Sequence, residues 1–315
     1  MATSRLTTVS RSQGANIALK RGTIQPDGFE LDFEEVPVLV HAFRRMVREL
    51  EFDVCEMALT TYLCAREHGV PITAIPTFLV RGLHHGAAVQ REGANVPLPE
   101  GLRSTRVGVN RGYTVTTGVW ARGILEQEYG VDLDEVTWVL SGDEHVEQYV
   151  APNHVVPLEG EGDLADQVRS NALTAAIGIA ADGPELTTLI PDAEEAAFRA
   201  LRERDLYPIN HLVVVRDDLL AAEPDLAPAL FEAFSAAKRE QVDLLARGSS
   251  AHETPADALH RRVMAEVDRD PLPYGIEPNR DMLELLLDHA LRQQILTERP
   301  RLEDLFAAGT QDLSG

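Results

Sequence analysis

The chain has 315 residues, of which 44% are apolar and 25% are charged, a composition typical of a globular protein with one large domain or two linked ones. Its 29 basic and 51 acidic side chains give a net charge of −22. Such an acidic surface repels the phosphates of nucleic acids and of anionic lipids, which disfavours both as partners. Any anion that binds here therefore needs a local positive pocket.

The N-terminal stretch lacks the apolar segment of an export signal, and no run approaches the roughly 18 apolar residues of a transmembrane helix. Cys55 and Cys64 give neither a disulfide framework nor a C-x-x-C metal pair, and we expect both to be buried free thiols. These features predict a cytoplasmic protein that does not bind membranes.

Short apolar runs alternate with helical periodicity through the first hundred residues. Strands are predicted at 6–9, 28–37, 52–59, 72–80 and 85–90, and helices at 38–50 and 60–69. Strands that alternate with helices in this way are typical of a mainly parallel sheet covered by helices on both faces.

The alternation restarts after a proline-rich segment at 94–102. Further elements are predicted as strands at 105–110 and 135–142, a helix at 114–130, a helix leading into a buried strand at 163–180, a strand at 209–215, two helices separated at Pro224, and a final helix at 281–296. Residues 248–258 and 308–315 are small and polar, and are predicted to be mobile.

Four stretches, "EFDVCEMALTTY", "GVWARGILEQEYGV", "YPINHLVVVRDDLL" and "DPLPYGIEPNR", together resemble the 4,5-dihydroxyphthalate decarboxylase family. That family belongs to the type II periplasmic-binding-protein-like superfamily. The resemblance runs from about residue 6 to residue 296, and it implies a two-lobed α/β fold with a ligand cleft between lobes that close by hinge motion. Lobe I would comprise residues 1–98 and 209–315, and lobe II the inserted residues 99–208. Since an exported receptor needs a signal peptide, the N-terminal sequence favours an enzyme.

The start of the helix at 114–130 is a candidate anion site. A helix N-terminus presents unpaired N–H groups and the positive end of the helix dipole. Thr114, Thr116 and Thr117 add hydroxyl donors, and Tyr113 adds an aromatic wall. We expect a substrate carboxylate to bind here, although one threonine could serve only as a helix cap.

Other substrate-binding candidates follow strands of the predicted first lobe. Arg11 and Ser12 lie in the turn after the first strand, where Arg11 could clamp a second carboxylate or remain a solvated surface arginine. Thr60 and Thr61 again place hydroxyls between a strand and a helix. Arg81 lies just before the first predicted crossing between lobes.

Three residues are candidate proton donors. His211 lies at the returning crossing, where a histidine can donate or accept a proton, although it could instead be a structural hinge histidine. His84 is adjacent to His85, so only one of the two should face the cleft. Glu56 could be held protonated by burial, or could be a structural carboxylate. Tyr274 lies in a rigid proline-rich segment and is predicted to line the cleft.

The motifs that are missing narrow the function further. The chain has no G-x-S-x-G elbow, no Walker A loop, no G-x-G-x-x-G after a strand and no zinc-binding H-E-x-x-H helix. The resemblance therefore leads to a decarboxylase that needs no cofactor or metal and acts on a hydroxylated aromatic dicarboxylate such as 4,5-dihydroxyphthalate. A cleft acid, with His211 preferred, would protonate the ring carbon. A cytoplasmic solute-binding protein and a lyase for a nonaromatic or chorismate-derived acid remain alternatives, and a homodimer is possible.

Overall fold

The computed structural model describes residues 4–160, 162–248 and 254–315. Those residues form two compact units. Unit 1 takes the described residues of Met1–Arg81, Ile209–Glu284 and Pro300–Gly315, and unit 2 takes those of Gly82–Pro208 and Leu285–Arg299. No helix in the described ranges has both the length and the apolar character needed to cross a bilayer.

The strands are numbered along the whole chain. They are β1 (Ser4–Val9), β2 (Phe29–Phe33), β3 (Val54–Ala58), β4 (Ile72–Arg81), β5 (Ala88–Arg91), β6 (Arg106–Val109), β7 (Thr137–Leu140), β8 (Val155–Pro157), β9 (Ala175–Ile177), β10 (Leu186–Thr188) and β11 (Ile209–Arg216).

The helices are numbered in the same way. They are α1 (Ile17–Lys20), α2 (Leu39–Glu49), α3 (Leu59–Glu67), α4 (Thr116–Tyr129), α5 (Leu164–Arg169), α6 (Ala193–Arg204), α7 (Asp217–Ala222), α8 (Leu226–Ala246), α9 (Pro255–Val267) and α10 (Arg280–Arg292). Short 3-10 turns occur at Gly14–Asn16, His85–Ala87, Glu100–Leu102, Leu133–Glu135, Glu277–Asn279 and Leu302–Leu305.

The sheet of unit 1 has the order β2-β1-β3-β11-β4. Strand β1 is parallel to β2 and β3, whereas β11 is antiparallel to both of its neighbours, β3 and β4. Every residue of β3 is buried, and almost every residue of β4 is buried as well. Burial on both faces explains why these strands read as continuous apolar runs. Cys55 in β3 and Cys64 in α3 are both buried and are not joined in a disulfide, as predicted.

The sheet of unit 2 has the order β10-β5-β9-β6-β7-β8. Strands β9, β6, β7 and β8 are parallel, and β5 is antiparallel to β9 and β10. A compact core lies between α5 and this sheet, formed by Val89, Val139, Leu164, Val168, Leu173, Ala176 and Leu186. Each sheet is mainly parallel, as predicted, with one reversed strand, which is β11 in unit 1 and β5 in unit 2.

Two segments that the sequence placed in lobe I lie in unit 2. Residues 82–98 contribute β5 to the second sheet, and residues 285–299 also pack within unit 2. The partner of a short strand is chosen by nonlocal pairing, and nothing in the sequence of β5 identifies the sheet that it joins. The predicted lobe boundaries stay a prediction.

Two segments predicted to be mobile are ordered where the structure describes them. Residues 249–253 of the first lie outside the described residues. Thr254 begins α9 with a capping box, in which its hydroxyl accepts from Asp257 N (3.2 Å) and the Asp257 carboxylate accepts from Thr254 N (3.0 Å). At the second segment, Gly315 O accepts from Tyr274 N (2.8 Å), and Thr310 is fully buried.

Strand β4 lies at one edge of its sheet, and the C-terminal segment covers part of that edge. Ala74 pairs with Phe306 in an isolated bridge, and Ala74 O accepts from Ala307 N (2.8 Å). The hydroxyl of Tyr62 on α3 joins the same two segments, because it donates to Leu305 O and accepts from Ala74 N (3.2 Å).

Replacing Tyr62 with phenylalanine should lower the free energy of unfolding by about 1–3 kcal/mol, because it leaves a buried carbonyl and a buried N–H unpaired. Urea denaturation measures this change. Tyr274→Phe is the matched control: Tyr274 is also fully buried, but its hydroxyl has no hydrogen-bond partner among the described residues. An equal loss in both variants would contradict a specific role for the Tyr62 hydroxyl.

Candidate active site

A buried carboxylate and a histidine meet in the centre of the unit 1 sheet. Glu56 lies in β3 with its side chain fully inaccessible to solvent, and Glu56 Oε1 is 2.6 Å from Nδ1 of His211 in β11. The antiparallel pairing of β3 with β11 brings these two residues, 155 positions apart in sequence, to the same place. The structure therefore joins two of the three residues that were predicted separately as proton donors.

The other oxygen of Glu56 is held by the loop after β1. Glu56 Oε2 accepts from Ser10 Oγ (2.7 Å) and from Arg11 N (3.0 Å). Asn16 fixes this loop in turn, because its Nδ2 donates to Ser10 Oγ (2.7 Å) and to Arg11 O (2.9 Å). Both carboxylate oxygens thus have partners, as a buried charge requires.

His211 keeps partial access to its surroundings. About 18% of its side chain is exposed, and Phe43 packs edge-on against the imidazole with ring centroids 5.2 Å apart. Because Nδ1 faces Glu56, Nε2 is the ring nitrogen through which His211 can exchange a proton with a ligand. A carboxylate that holds the other nitrogen fixes both the orientation and the tautomer of a histidine.

The environment of Glu56 favours its ionised form. Burial alone would raise the pKa of this carboxyl, but the hydrogen bond and charge of His211, together with Ser10 and the charge of Arg11, outweigh burial and hold the pKa below its usual value. This direction favours the ionised structural carboxylate, one of the two roles that the sequence left open for Glu56. The ionised carboxylate holds the imidazole of His211 at Nδ1.

This pKa shift makes a prediction about stability in acid. A carboxyl whose pKa is lower in the folded chain stabilises the fold above its unfolded pKa and loses that effect as the pH falls through the folded value. The stability difference between the wild-type chain and Glu56→Gln should therefore be constant near neutral pH and shrink below about pH 4.5. Urea denaturation at a series of pH values measures it. Glu51→Gln removes an exposed carboxylate and serves as a control with a small effect. A difference that grows on acidification would contradict the predicted direction.

The segment just before α4 in unit 2 holds a second carboxylate, and it belongs to the chain itself. Glu144 accepts hydrogen bonds from Tyr113 N, Thr114 N (3.2 Å) and Thr114 Oγ1 (2.6 Å). The residue before the helix is Val115, so no threonine side chain caps α4 from that position. Gly112 leaves room for the carboxylate, because a Cβ there would collide with Glu144. The sequence predicted an anion at this helix start but missed Glu144.

A fully buried arginine lies beneath the same segment. Arg122 donates through Nη2 to Tyr113 O (2.6 Å) and through Nε to Gln293 Oε1 (2.8 Å), and its guanidinium lies 3.9 Å from the centre of the Tyr113 ring. Burial lowers the pKa of Arg122 from its usual value. Tyr113 was predicted as an aromatic wall for a ligand, but its ring is buried against this guanidinium.

A cavity of roughly 580 Å³ lies at the carboxyl ends of the parallel strands of unit 2. Its polar lining includes Asn110 after β6, Ser141 after β7, and Arg169. The Ser141 hydroxyl accepts from Arg111 N (2.8 Å), and Asn110 Nδ2 donates to Gly178 O (2.8 Å). Ligands of open α/β sheets commonly bind at this edge. Asn110 and Ser141 were not among the predicted site residues, although each is a polar residue directly after a strand.

Other predicted binding residues of unit 1 differ in their surroundings. Arg11 and Ser12 are exposed, and Ser12 Oγ accepts from Lys20 Nζ (2.9 Å). Thr60 and Thr61 lie fully buried in the first turn of α3. Contact of these four residues with a ligand stays a prediction. The exposed Arg11 and Ser12 are better placed for such a contact than the buried Thr60 and Thr61.

Arg81, Tyr274 and His84 also lie in buried positions. Arg81 donates to Asn279 Oδ1 and to Pro273 O (3.4 Å), which ties the end of β4 to the segment before α10. Tyr274 is fully buried, and its predicted contact with a ligand stays a prediction. His84 is 8% exposed, and the adjacent His85 has Nε2 at 3.0 Å and 3.1 Å from the two carboxylate oxygens of Glu128. In the described ranges, no three His, Cys, Asp or Glu side chains form a group that could hold a metal ion.

Sequence comparison finds two relatives of the same name, while no protein-family model matches the chain. The chain is 29% identical over 296 residues to a 4,5-dihydroxyphthalate decarboxylase of Comamonas testosteroni, with 85% of this chain and 86% of that protein covered. It is 32% identical over 127 residues to one of Pseudomonas putida, with 38% of this chain and 46% of that protein covered. These matches confirm the resemblance indicated by the sequence motifs.

Solved structures with a similar fold include periplasmic binding proteins. The aliphatic sulphonate binding protein of Escherichia coli gives a TM-score of 0.56 at 10% identity and covers 99% of this chain and 100% of its own. A Candida albicans gene product with the generic periplasmic-binding-protein fold gives a TM-score of 0.53 at 14% identity, with 97% of this chain and 93% of its own covered. The predicted fold class, a two-lobed α/β fold like that of periplasmic binding proteins, is confirmed.

Proposed function

We propose that this protein is a decarboxylase of a hydroxylated aromatic dicarboxylate such as 4,5-dihydroxyphthalate. The observation that carries the proposal is the Glu56–His211 pair, a buried carboxylate 2.6 Å from a histidine that is still partly exposed. The similarity to proteins named 4,5-dihydroxyphthalate decarboxylase over most of the chain supports the choice of reaction and substrate class.

The reaction itself requires a proton donor at a ring carbon. Direct loss of carbon dioxide from an aromatic ring would leave an aryl carbanion with no group to accept the charge. Protonation of the carbon that bears the carboxylate avoids this species, because a hydroxyl in the para position can share the resulting positive charge. Such a route needs a positioned acid and no added electron sink.

In the proposed mechanism His211 is the acid. Its Nε2 gives a proton to the ring carbon, the bond from that carbon to the carboxylate then breaks, and the electron pair of the bond returns to the ring as carbon dioxide leaves. His211 is neutral after this step and takes a new proton from water. Glu56 is fully buried and acts on the substrate only through His211, so it is a positioning residue: its carboxylate holds Nδ1–H and stabilises the imidazolium.

Arg11 is the proposed anchor for the carboxylate that the substrate retains. Its backbone N donates to Glu56 Oε2 (3.0 Å), and its charge contributes to the lowered pKa of Glu56. Its side chain is exposed, so the guanidinium is free to form the two parallel hydrogen bonds that a carboxylate accepts. A lysine in this position would provide a charge without that geometry.

Incubation of the purified protein with 4,5-dihydroxyphthalate tests the proposal. We expect release of one carbon dioxide and formation of 3,4-dihydroxybenzoate, and in D₂O one deuteron should enter the ring at the carbon that lost its carboxylate. Phthalate, which lacks both hydroxyls, should bind without reacting. Since the substrate hydroxyl takes up the charge, dialysis against EDTA should not change the rate.

The other outcomes separate the remaining candidates. Tight uptake of 4,5-dihydroxyphthalate without carbon dioxide would overturn the proposal in favour of a solute-binding protein. Turnover only of nonaromatic acids in a panel of carboxylates would overturn it in favour of a different lyase.

A further inference from the structure

The pair of Glu56 and His211 is the end of a longer chain of hydrogen bonds in unit 1. Asn16 Nδ2 donates to Ser10 Oγ (2.7 Å), and Ser10 Oγ donates to Glu56 Oε2 (2.7 Å). The other oxygen, Glu56 Oε1, lies 2.6 Å from His211 Nδ1. Asn16, Ser10 and Glu56 are buried, so water does not compete for these bonds.

The direction of this chain is set by the side-chain amide of Asn16. Its Oδ1 accepts from Gln13 N (3.0 Å), and a backbone N–H can only donate. Its Nδ2 donates to Arg11 O (2.9 Å), and a backbone carbonyl can only accept. These two backbone groups fix which end of the amide is nitrogen and which is oxygen. The group that faces Ser10 Oγ is therefore a donor.

The same direction continues through Ser10 to Glu56. A hydroxyl has one proton to donate, and that of Ser10 already accepts from Asn16. Its proton goes to Glu56 Oε2 at 2.7 Å, because the other acceptor in reach, Arg11 O, is 3.3 Å away and is bonded to Asn16. Arg11 N is a second donor to Glu56 Oε2 (3.0 Å). Two donors face this oxygen, so it cannot also hold a proton.

A proton shared by Glu56 and His211 therefore lies between Glu56 Oε1 and His211 Nδ1. The two donors at Oε2 favour the ionised carboxylate, which moves the shared proton towards the histidine. We propose that Ser10 and Asn16 are positioning residues, which keep this proton on Nδ1 of His211 instead of on Oε1 of Glu56.

The place of this proton decides how strong an acid His211 is. When the pair holds two protons and one is on Nδ1, the ring is an imidazolium and its Nε2–H is an effective acid. With that proton on Glu56 Oε1, the ring is a neutral imidazole, whose Nε2–H is a far weaker acid. The use of this acid in decarboxylation rests on the proposed function, whereas the place of the proton does not.

NMR of the ligand-free chain with ¹⁵N-labelled histidine tests the place of the proton without any turnover. The signals of His211 are assigned by their loss in His211→Asn. In the wild-type chain Nδ1 should stay protonated as the pH is lowered and the ring takes up its second proton. In Ser10→Ala one donor to Glu56 Oε2 is missing, so Nδ1 should lose proton character over the same range.

Thr8→Val is the matched control for Ser10→Ala. Thr8 is also buried and lies in β1, two residues before Ser10, but its hydroxyl donates to Leu6 O (3.0 Å) and not to the pair. This variant loses a buried hydroxyl outside the chain of hydrogen bonds, so the ¹⁵N signals of His211 should match those of the wild-type chain.

The same variants separate positioning from stability in assays with 4,5-dihydroxyphthalate. Ser10→Ala should lower kcat by about 10-fold, the rate equivalent of one hydrogen bond to a charged group, with an unchanged dissociation constant. Thr8→Val should leave both quantities unchanged. Asn16→Asp keeps the size of the side chain but places an acceptor beside Ser10 Oγ, which draws the hydroxyl away from Glu56. It should shift the Nδ1 signal of His211 in the same direction as Ser10→Ala.

Three results would overturn the proposal. One is a wild-type His211 whose Nδ1 is unprotonated. Another is a Ser10→Ala variant with the same ¹⁵N signals as Thr8→Val, and the third is an equal fall in kcat in these two variants. If the ¹⁵N signals follow the expectation but the wild-type chain releases no carbon dioxide, the proposed function fails and the position of the proton stands.

Discussion

Replacing His211 with asparagine should lower the turnover of 4,5-dihydroxyphthalate by about 10²-fold or more, the usual effect of losing a general acid, while the substrate still binds. Asparagine keeps a polar side chain of similar size beside Glu56 but cannot release a proton near neutral pH. The expected change is therefore a fall in kcat with little change in the dissociation constant. Steady-state assays of carbon dioxide release, combined with calorimetric titration, separate the two quantities.

His68 provides a matched control for this variant. It is an exposed histidine at the end of α3, so His68→Asn makes the same chemical change away from the pair and should leave kcat unaltered. Full turnover in His211→Asn with no turnover in His84→Asn would move the acid to His84. Full activity in both variants would rule out His211 and His84 as the proton donor.

Glu56→Gln should destabilise the chain by about 3 kcal/mol or more and also reduce turnover. Glutamine is neutral and has a single acceptor oxygen, whereas Glu56 accepts from Ser10 Oγ and Arg11 N and pairs with His211. Losing one partner of a buried ion pair is costly because the groups left behind are desolvated and unpaired. Urea denaturation at neutral pH measures the loss of stability. The fall in kcat measures how much the imidazole of His211 loses in activity when Glu56 no longer holds it.

A double-mutant cycle distinguishes a true pair from two independent residues. If Glu56 and His211 act together, the stability losses of Glu56→Gln and His211→Asn should not add up in the double variant. Additive losses, or a Glu56→Gln variant with unchanged kcat, would contradict a positioning role for Glu56. Neither result would contradict the fold or the proposed class of substrate.

The residues of the pair could be named from sequence, but their contact could not. His211 was chosen because it lies at the predicted returning crossing between lobes, and Glu56 because it lies near the end of a strand that should point to the cleft. The contact depends on β11 inserting antiparallel between β3 and β4, a pairing across 155 residues that no local pattern encodes. Once the sheet order is known, the neighbours of Glu56 explain why its pKa is lowered although burial alone would raise it.

Sequence analysis missed several residues around these sites for a different reason. Ser10, Asn16 and Glu144 act by completing hydrogen bonds to groups that are distant in sequence or in a loop, and short polar side chains of this kind are common in any loop. Helix α9, by contrast, carried a readable signal in Thr254, Pro255 and Asp257, which form its capping box and first turn. That signal was overlooked because the surrounding residues are small and polar.

The contact between Ala74 and the C-terminal segment has a consequence for handling the protein. An exposed edge strand offers a row of unpaired N–H and C=O groups to any other extended chain. Strand β4 is long, and almost all of its residues are buried. Residues 306–307 fill part of that row, and Gly275 N donates to Pro76 O (2.8 Å) at a second point. Shortening the chain before residue 306 would open this edge to pairing between molecules, so solubility, rather than catalysis, is the property that such a truncation would change first.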